Sequence, residues 1–313
     1  MNPRVSICLP VYNGEMHVSA TIRSVLAQSF ENFELVINDN ASTDSTPVIC
    51  QAFAANDSRI HYARAEVNGG LAWNFNQAFA RSRGEYVLWI GHDDLLAPAH
   101  ISSCVQALES SPQAVVCFPN VNYIDQQGDL IQQVELKNPA SSAEVSQRFL
   151  EILWDQRCDP VCGLMRAAAL KRTGLHGAYA DSDRVLLAEL GFQGTFLHLP
   201  EFLFSRRVHK LQATSLFDDR WDRTLVFDPK KAGTAICPWW TEAFDLLAAT
   251  RKAGLPWRER VRCYRFLYWW YRNYRPYFMQ DLRRSGELIA RRLSGRPLPP
   301  GYRYGASQAN GAD

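Results

Sequence analysis

The sequence lacks the long apolar run that a transmembrane helix needs. Its densest aromatic stretch, residues 266–271, is far shorter than the roughly 20 residues that cross a bilayer. The first ten residues lead directly into a strand pattern and leave no room for the basic region, apolar region and cleavage site of a secretory signal. We therefore expect a cytoplasmic protein that does not span a membrane by itself.

The cysteine motifs of redox and zinc sites are also missing, although the chain has eight cysteines. They are widely spread, with no C-x-x-C pair and no cysteine–histidine cluster at the spacing of a zinc site. We expect reduced thiols, as in a protein of the cytosol. This pattern excludes a small secreted scaffold held by disulfides.

The chain has little net charge, +2 over 313 residues, and 47% of its residues are apolar. This composition supports a large core and excludes a disordered tail or a fibre. The charge is unevenly distributed, because residues 251–303 contain 14 Lys and Arg against three acidic residues. An acidic body therefore carries a basic carboxyl-terminal arm.

Strand and helix patterns alternate through the first 120 residues. Positions 18, 22, 25 and 26 have the apolar spacing of a helix that lies on a sheet. Ser42 or Thr43 is the expected cap of a second helix, which runs to about Ala55. This alternation favours an α/β fold with a Rossmann-like, mostly parallel central sheet and flanking helices. The predicted strands are residues 5–9, with a stop at Pro10, and residues 33–37, 59–63, 85–90 and 114–118.

Residues 121–237 have a less regular pattern, which predicts mixed α/β packing. From Pro238 onward the pattern is helical. We therefore divide the chain into residues 1–120, 121–237 and 238–313. The elements predicted in the second segment are a hairpin over 121–131, a helix over 142–153, a helix after Asp183, and strands over 195–199 and 202–208.

Polar residues follow three of the predicted strands, at residues 10–13, 38–40 and 92–94. In an open α/β sheet, ligands bind at the carboxyl ends of parallel strands. Asn and Asp also end strands for reasons of turn geometry, so one such cluster alone would indicate little. The adjacent carboxylates Asp93 and Asp94 suit a divalent cation that also binds substrate phosphates. For Asp94, a solvated turn or a helix cap is the alternative.

Four segments resemble the motifs of family 2 glycosyltransferases, in the order and approximate spacing of that family, over about residues 4–210. The resemblance implies the GT-A fold. It also implies that residues 1–120 bind a nucleotide sugar and residues 121–237 bind the acceptor, with 238–313 as a basic, aromatic, helical extension. The four segments are 5–14 (VSICLPVYNG), 38–44 (NDNASTD), 68–74 (NGGLAWN) and 84–94 (GEYVLWIGHDD).

The resemblance implies which residues hold the donor. Pro10, Tyr12 and Asn13 would surround the nucleotide base, and Asp39 would bind the base or the ribose. A carboxylate that faces a ring N–H forms a strong, charge-assisted hydrogen bond. Asn74, at the end of the third segment, is also expected at the nucleotide sugar.

The D-x-D signature of the family is degenerate here. Gly91 stands at its first Asp and His92 at its middle position. The resemblance makes Asp93 the ligand of a divalent cation, Mg²⁺ or Mn²⁺, and places Asp94 near the ribose or the metal. Trp73 stands where the family often has Arg.

Members of the family invert the anomeric centre in one displacement, while a carboxylate removes the acceptor proton. The resemblance assigns this base to Asp183, with Asp181 as the alternative, and Ser182 stands where the family has Glu. A helix-capping role is the other reading of Asp183. His209 or Arg207 would neutralise the leaving diphosphate, unless this segment is only a solvated basic loop.

The basic arm contains an amphipathic pattern. Its aromatic stripe lies beside a stripe of Arg residues, and residues 257–296 could lie on an anionic membrane surface. Alternatively, the rings pack on the catalytic part and the Arg side chains extend over it. Nucleic acid is not an expected partner, because no reader motif accompanies the charge. The stripe consists of Trp257, Val261, Tyr264, Tyr268 and Tyr271.

Together these features predict a metal-dependent, inverting glycosyltransferase of bacterial polysaccharide biosynthesis. The donor would be a UDP, GDP or dTDP sugar, and the acceptor a hydroxyl of a glycan or a lipid-linked saccharide. The protein would be cytoplasmic, free or at the inner face of the membrane. A sugar nucleotidyltransferase is disfavoured, because residues 10–14 contain no Lys or Arg. The remaining alternative is a catalytically degenerate GT-A module that binds nucleotide or glycan without turnover.

Overall fold

A computed structural model describes residues 2–155, 157–209 and 219–297. The last part of the predicted extension, residues 298–313, lies outside the described residues. Strands and helices alternate through the first part of the chain, as predicted, except that a short unpredicted strand, β5, follows β4. These elements are β1 Val5–Val11, α1 Val18–Leu26, β2 Phe33–Asp39, α2 Thr46–Asn56, β3 Ile60–Arg64, α3 Leu71–Ala80, β4 Tyr86–Trp89, β5 Leu95–Leu96 and α4 His100–Ser110.

The second part contains two long strands, β6 and β9, that pair with each other, and it ends in helices. Two shorter strands and three helices lie between the long strands. The elements are β6 Ala114–Ile124, β7 Leu130–Val134, α5 Val145–Trp154, β8 Leu164–Arg166, α6 Ala167–Leu170, α7 Asp183–Gln193 and β9 Thr195–Arg207, followed by α8 Arg220–Phe227, α9 Pro238–Lys252 and α10 Trp257–Leu293.

The described strands form one sheet in the order β3-β2-β1-β4-β8-β6-β9-β5, and β7 pairs with β6. The pairs β1/β2, β1/β4, β2/β3 and β6/β9 are parallel. Because β8 is antiparallel to both β4 and β6, those two strands run in the same direction. Most strands of the sheet therefore share one direction, and the predicted α/β class is confirmed.

Both faces of the sheet are covered. Every residue of β1 is buried, as expected for a parallel strand between two layers of helices. Successive side chains of a strand point to opposite faces. Accordingly, Ile7 and Leu9 belong to one buried cluster with Ile22 of α1, while Cys8 belongs to another with Trp270 of α10.

Two local predictions were wrong. The first strand does not stop before Pro10, since β1 continues to Val11 and Pro10 pairs in register with Asn38. On its other side, β4 pairs only with Val5–Cys8, so a residue without an N–H is tolerated at Pro10. Breaks were also predicted after residues 118 and 199, next to Pro119 and Pro200. Instead, β6 and β9 each continue past the proline, with register shifts nearby.

The predicted helix cap at Ser42 or Thr43 was wrong as well. Helix α2 begins at Thr46, whose backbone N–H donates to the Asp44 carboxylate over 2.9 Å. Ser42 has another role, because its hydroxyl accepts the backbone N–H of Asn13. The loop after β2 is therefore bound to the end of β1 before the helix starts.

The helices α9 and α10 belong to the core. Trp270 and Phe278 of α10 are fully buried and share a cluster with residues of α5 and α7. On the predicted aromatic stripe, Tyr271 is half-buried, whereas Trp257 and Tyr268 are exposed. Among the described residues, no helix has both the length and the apolar character that crossing a membrane requires.

Candidate active site

The carboxyl ends of β1 and β2 lie side by side, with Val11 paired to Asp39. The Asp39 side chain is fully buried. One of its oxygens accepts the backbone N–H of Ser42 over 2.8 Å and the other accepts the hydroxyl of Tyr62 over 2.7 Å. Arg64 forms an ion pair with the same carboxylate at 3.5 Å. Asp39 thus fixes the loop after β2, and its predicted contact with a nucleotide stays a prediction.

The residues after β1 are bound to the same loop. Asn13 has a left-handed backbone with φ of 48°, and its side-chain oxygen accepts the backbone N–H of Thr43 over 2.8 Å. Tyr12 is half-buried and Pro10 is buried in β1. Sequence reasoning grouped Pro10, Tyr12 and Asn13 correctly at one strand end, but their contacts with a base stay predictions.

Asn74 joins α3 to the two strand ends. Its amide nitrogen donates to the backbone carbonyl of Val11 over 3.1 Å, and its oxygen accepts the Asn38 amide over 2.7 Å. The side chain is almost fully buried. These bonds explain Asn74 as an anchor of this edge, and its contact with a nucleotide sugar stays a prediction.

The two adjacent carboxylates differ in environment. Asp93 is mostly buried, and its Oδ2 lies 2.9 Å from Nε2 of His209. Asp94 is buried, and its Oδ1 accepts the backbone N–H of Arg207 over 3.0 Å. Burial, with a contribution from the negative charge of Asp93, raises the pKa of Asp94 to about 7. Asp94 is therefore the poorer candidate for a ligand that must carry a charge.

Gly91 keeps space open beside this pair. A Cβ at Gly91 would lie 2.8 Å from Oδ1 of Asp93 and 2.9 Å from Oδ2 of Asp94. Such distances are too short for a side chain at this position without a shift of the carboxylates. The glycine at the first position of the degenerate signature is therefore part of how Asp93 and Asp94 are arranged.

Arg207 is buried at the end of β9. Its guanidinium group donates to the carbonyl oxygens of Asp93, Asp125 and Gln126 over 2.8–3.0 Å. These bonds tie β9 to the loops after β4 and β6. Of the two residues predicted to neutralise the diphosphate, His209 is the one whose ring contacts the Asp93 carboxylate.

Sequence reasoning missed His17, which lies beside His209 with 5.5 Å between the ring centroids. The Nε2 atom of His17 is buried and has no hydrogen-bond partner among the described residues. Burial, followed by the nearby charge of Arg207, lowers the pKa of His17. No local sequence pattern marks this residue, because its neighbour His209 is distant in the chain.

The two predicted base residues lie at the start of α7. Asp183 is the first residue of the helix and is about 29% exposed, and its Oδ1 lies 3.0 Å from Nδ1 of the buried His176. Asp181 has a left-handed backbone with φ of 65°. Its Oδ2 forms ion pairs with Arg220 at 3.1 Å and Arg223 at 3.3 Å. Among the described residues, Asp183 is therefore the carboxylate with fewer ion-pair partners.

His176 connects the base region to the end of β4. Its ring packs edge-on against Trp89, with 4.8 Å between centroids, and Trp89 is the last residue of β4, four positions before Asp93. Because α7 runs back along the sheet into β9, its first turn lies toward the carboxyl edge of the strands. The fold thus brings Asp183 to the same edge as Asp93 and His209.

The side chains around Asp93 fit a divalent cation that also binds phosphate groups of a substrate. Within residues 2–155, 157–209 and 219–297, no three His, Cys, Asp or Glu side chains converge on one point. Mg²⁺ in such sites takes only one or two carboxylates and completes its shell with phosphate and water. Asp93, with His209 beside it and Gly91 leaving room, matches that requirement.

The comparison with protein families identifies the chain. A model described as "Glycosyl transferase family 2" matches residues 6–174, more than half of the chain. The chain belongs to glycosyl transferase family 2. The family predicted from the four sequence segments is thereby confirmed, and the matched range includes β1 to β4, Asp93 and Asp94. Asp183 and His209 lie beyond it.

Curated relatives of this family 2 chain match less than half of it. Glycosyltransferase GlyG of Streptococcus pneumoniae is 28% identical over 129 residues, which cover 41% of this chain and 43% of the relative. The putative teichuronic acid biosynthesis glycosyltransferase TuaG of Bacillus subtilis is 40% identical over 92 residues, which cover 29% and 36%. The matched segment thus spans less than half of either relative.

Solved structures share the fold of this family 2 chain. Residues 1–349 of S. aureus TarS in complex with UDP give a TM-score of 0.61 at 17% identity, covering 85% of this chain and 71% of that one. The mannosyltransferase PcManGT of Pyrobaculum calidifontis, in complex with GDP-Man and Mn²⁺, gives 0.53 at 18% identity and covers 95% and 89%. These likenesses confirm the GT-A-like fold.

Proposed function

We propose that this protein is an inverting glycosyltransferase of bacterial polysaccharide biosynthesis. It transfers a sugar from a nucleoside-diphosphate donor to a hydroxyl of a glycan or a lipid-linked saccharide. The observation that carries the proposal is the placement of two carboxylate–histidine pairs, Asp93 with His209 and Asp183 with His176, at one edge of the sheet. The family and the TuaG relative support the reaction class.

In this proposal residues 1–120 bind the donor. Asn13, Tyr12 and the loop that Asp39 holds form the wall around the nucleotide base. The solved neighbours with UDP and with GDP-Man support a nucleotide-sugar donor, and UDP, GDP and dTDP all remain candidates. Asp93 and His209 would hold the cation, and a bound Mg²⁺ or Mn²⁺ would offset the charge of the diphosphate.

The acceptor proton goes to Asp183 in this proposal. Its Oδ1 is held by His176, which leaves Oδ2 for the acceptor hydroxyl. The carboxylate takes the proton while the hydroxyl oxygen attacks the anomeric carbon and the bond to the diphosphate breaks. His209 lies on the donor side, where negative charge develops on the leaving group.

Nucleotide binding tests the donor site directly. We would measure thermal shifts with UDP, GDP and dTDP, with and without Mn²⁺, for the wild type, Asp93→Asn and a control, Glu31→Gln. Glu31 is exposed at the opposite end of β2. Saturation a hundredfold above Kd stabilises by about 2.7 kcal/mol. We expect one nucleotide to give a Mn²⁺-dependent shift that Asp93→Asn loses and Glu31→Gln keeps.

Turnover then separates the enzyme from a binding module. Release of nucleoside diphosphate is followed with the matching nucleotide sugar and a panel of free and lipid-linked glycan acceptors. Acceptor-dependent release supports the transferase. Nucleotide binding without release would favour the degenerate binding module, and no shift with any nucleotide would contradict both.

We also propose that the exposed face of α10 rests on an anionic bilayer, as suits a lipid-linked acceptor. Trp257 and Tyr268 are more than half exposed. Guanidinium groups lie over these rings, with Arg258 at 5.7 Å from the Trp257 centroid and Arg272 at 6.0 Å from that of Tyr268. Exposed aromatic rings among Arg side chains match the headgroup region of anionic lipids.

Vesicle sedimentation tests this surface. Binding to vesicles with anionic phosphatidylglycerol should exceed binding to pure phosphatidylcholine and should fall with added salt. Replacing three arginines of α10 by Gln should weaken it strongly, while the same number of changes elsewhere should not. Equal losses in both triple variants would contradict the proposal. The variants are Arg258→Gln, Arg265→Gln and Arg272→Gln, against Arg81→Gln, Lys171→Gln and Arg172→Gln.

A further inference from the structure

Aromatic rings pack against the His176 side chain. It is almost fully buried, and its ring lies 4.8 Å from the Trp89 ring and 4.9 Å from the Phe75 ring, centroid to centroid. Its Nε2 is buried without a hydrogen-bond partner among the described residues. Its Nδ1 lies 3.0 Å from Oδ1 of Asp183, so this is the polar contact that the ring makes.

The backbone of His176 is held as firmly as its ring. The amide nitrogen of Asn76 donates to the His176 carbonyl over 2.9 Å, and the His176 N–H donates to the Asn76 side-chain oxygen over 3.1 Å. The Trp89 indole N–H in turn donates to the carbonyl of Phe75 over 3.1 Å. Helix α3 and strand β4 therefore fix the ring from the donor side of the fold.

Asp183 lacks such support by itself. It is the first residue of α7 and partly exposed, and short side chains at a helix start also turn toward the free N–H groups of the first turn. The buried ring nitrogen Nδ1 of His176, 3.0 Å from Oδ1, selects one orientation of the carboxylate. Reacting groups that are misplaced by about 1 Å lose about a hundredfold in rate, so this selection matters for a proton acceptor.

We propose that His176 is a positioning residue for the reaction. It donates from Nδ1 to Oδ1 of Asp183 and directs Oδ2 toward the acceptor hydroxyl, and the proton of the acceptor goes to Asp183 and not to His176. This inference rests on the proposed function, in which Asp183 is the base. It also gives a reason for a histidine between the rings of Trp89 and Phe75.

Three substitutions separate the hydrogen bond from the packing. An Asn amide at position 176 reaches the place of Nδ1, a Gln amide reaches that of Nε2, and Leu has the shape of Asn without a donor. His176→Leu and His176→Gln should lower kcat for nucleoside diphosphate release about 10- to 100-fold. KM for the donor and the thermal shift with nucleotide should stay unchanged. His176→Asn should recover most of kcat.

A double variant tests the connection to Asp183. If His176 acts through that carboxylate, adding His176→Leu to Asp183→Asn should cause no further loss of kcat. Equal rates for wild type and His176→Gln would overturn the inference, as would Asn and Gln variants that are equally slow. If His176→Leu does not fold, the Asn and Gln variants still decide. A wild type without any acceptor-dependent turnover would instead contradict the proposed function itself.

Discussion

The Glu242 carboxylate of α9 lies 2.6 Å from Nη1 of Arg184, the residue that follows Asp183 in α7. Both side chains are buried, and the other oxygen of Glu242 pairs with Arg220. Arg220 also contacts Asp181 at 3.1 Å. Glu242 of α9 thus pairs with both Arg184 and Arg220, which lie beside the two candidate base residues.

Removing this carboxylate should destabilise the whole protein. Glu242→Ala removes the carboxylate that two buried guanidinium groups share, and a broken buried ion pair costs about 3–5 kcal/mol. Urea unfolding measures the free energy. The control is Glu144→Ala, since Glu144 is 66% exposed and pairs with Arg262, so less than about 1 kcal/mol should be lost. Similar losses for both variants would contradict this account of the buried triad.

The two carboxylates before and at the start of α7 should differ in kinetics. Asp183→Asn removes the proposed proton acceptor and should lower kcat about 10²- to 10⁴-fold, with KM for the donor unchanged. Asp181→Asn should have a smaller effect on kcat, because Asp181 is engaged by Arg220 and Arg223. A larger loss for Asp181→Asn would move the base to that residue.

Adding a methyl group at Gly91 should disturb the metal pair without unfolding the chain. A Cβ there comes within 2.9 Å of oxygens on both Asp93 and Asp94, so these carboxylates must shift. Gly91→Ala should therefore weaken Mn²⁺-dependent nucleotide binding at least about tenfold. Gly286→Ala is the control, since nothing lies within 4 Å of its Cβ position. Unchanged binding in Gly91→Ala would show that the carboxylates do not need their present arrangement.

Asp281 should make the stability of the protein depend on pH. Burial raises the pKa of Asp281 from 3.8 to about 6, while its Oδ2 accepts the backbone N–H of Trp239 over 2.7 Å. The folded state therefore binds this proton more tightly than the unfolded state, and stability falls as the pH rises between about 4 and 6. Asn at this position keeps the acceptor without the charge.

The measurement is Tm against pH for the wild type and Asp281→Asn. The Tm of the variant relative to the wild type should increase from about pH 4 to pH 7. Asp129→Asn, on the exposed hairpin, should show no such trend. A constant difference over this range would mean that Asp281 titrates at its ordinary pKa.

Local patterns were sufficient for most elements of the first 120 residues, although they did not predict the short strand β5. Buried apolar runs ended by polar residues identified β1, β2 and β4, and the order of the strand-end clusters indicated the family. Predictions were wrong where a residue has a different role from the one that its residue type usually has. A proline usually interrupts a strand, but Pro10 lies beyond the part of β1 that pairs with β4. The Ser42 hydroxyl accepts the backbone N–H of Asn13 and does not cap a helix.

Sequence alone determined the fold class, the family and the positions of Asp39, Asp93 and Asp183 at the ends of elements. It did so because strand periodicity and strand-end polarity are local properties of the chain. The partners of these residues were decided by the tertiary structure. His209 reaches Asp93 across 116 positions, and Glu242 reaches Arg184 across 58. No local pattern encodes such pairs, since they depend on which surfaces of the sheet and helices pack together when the protein folds.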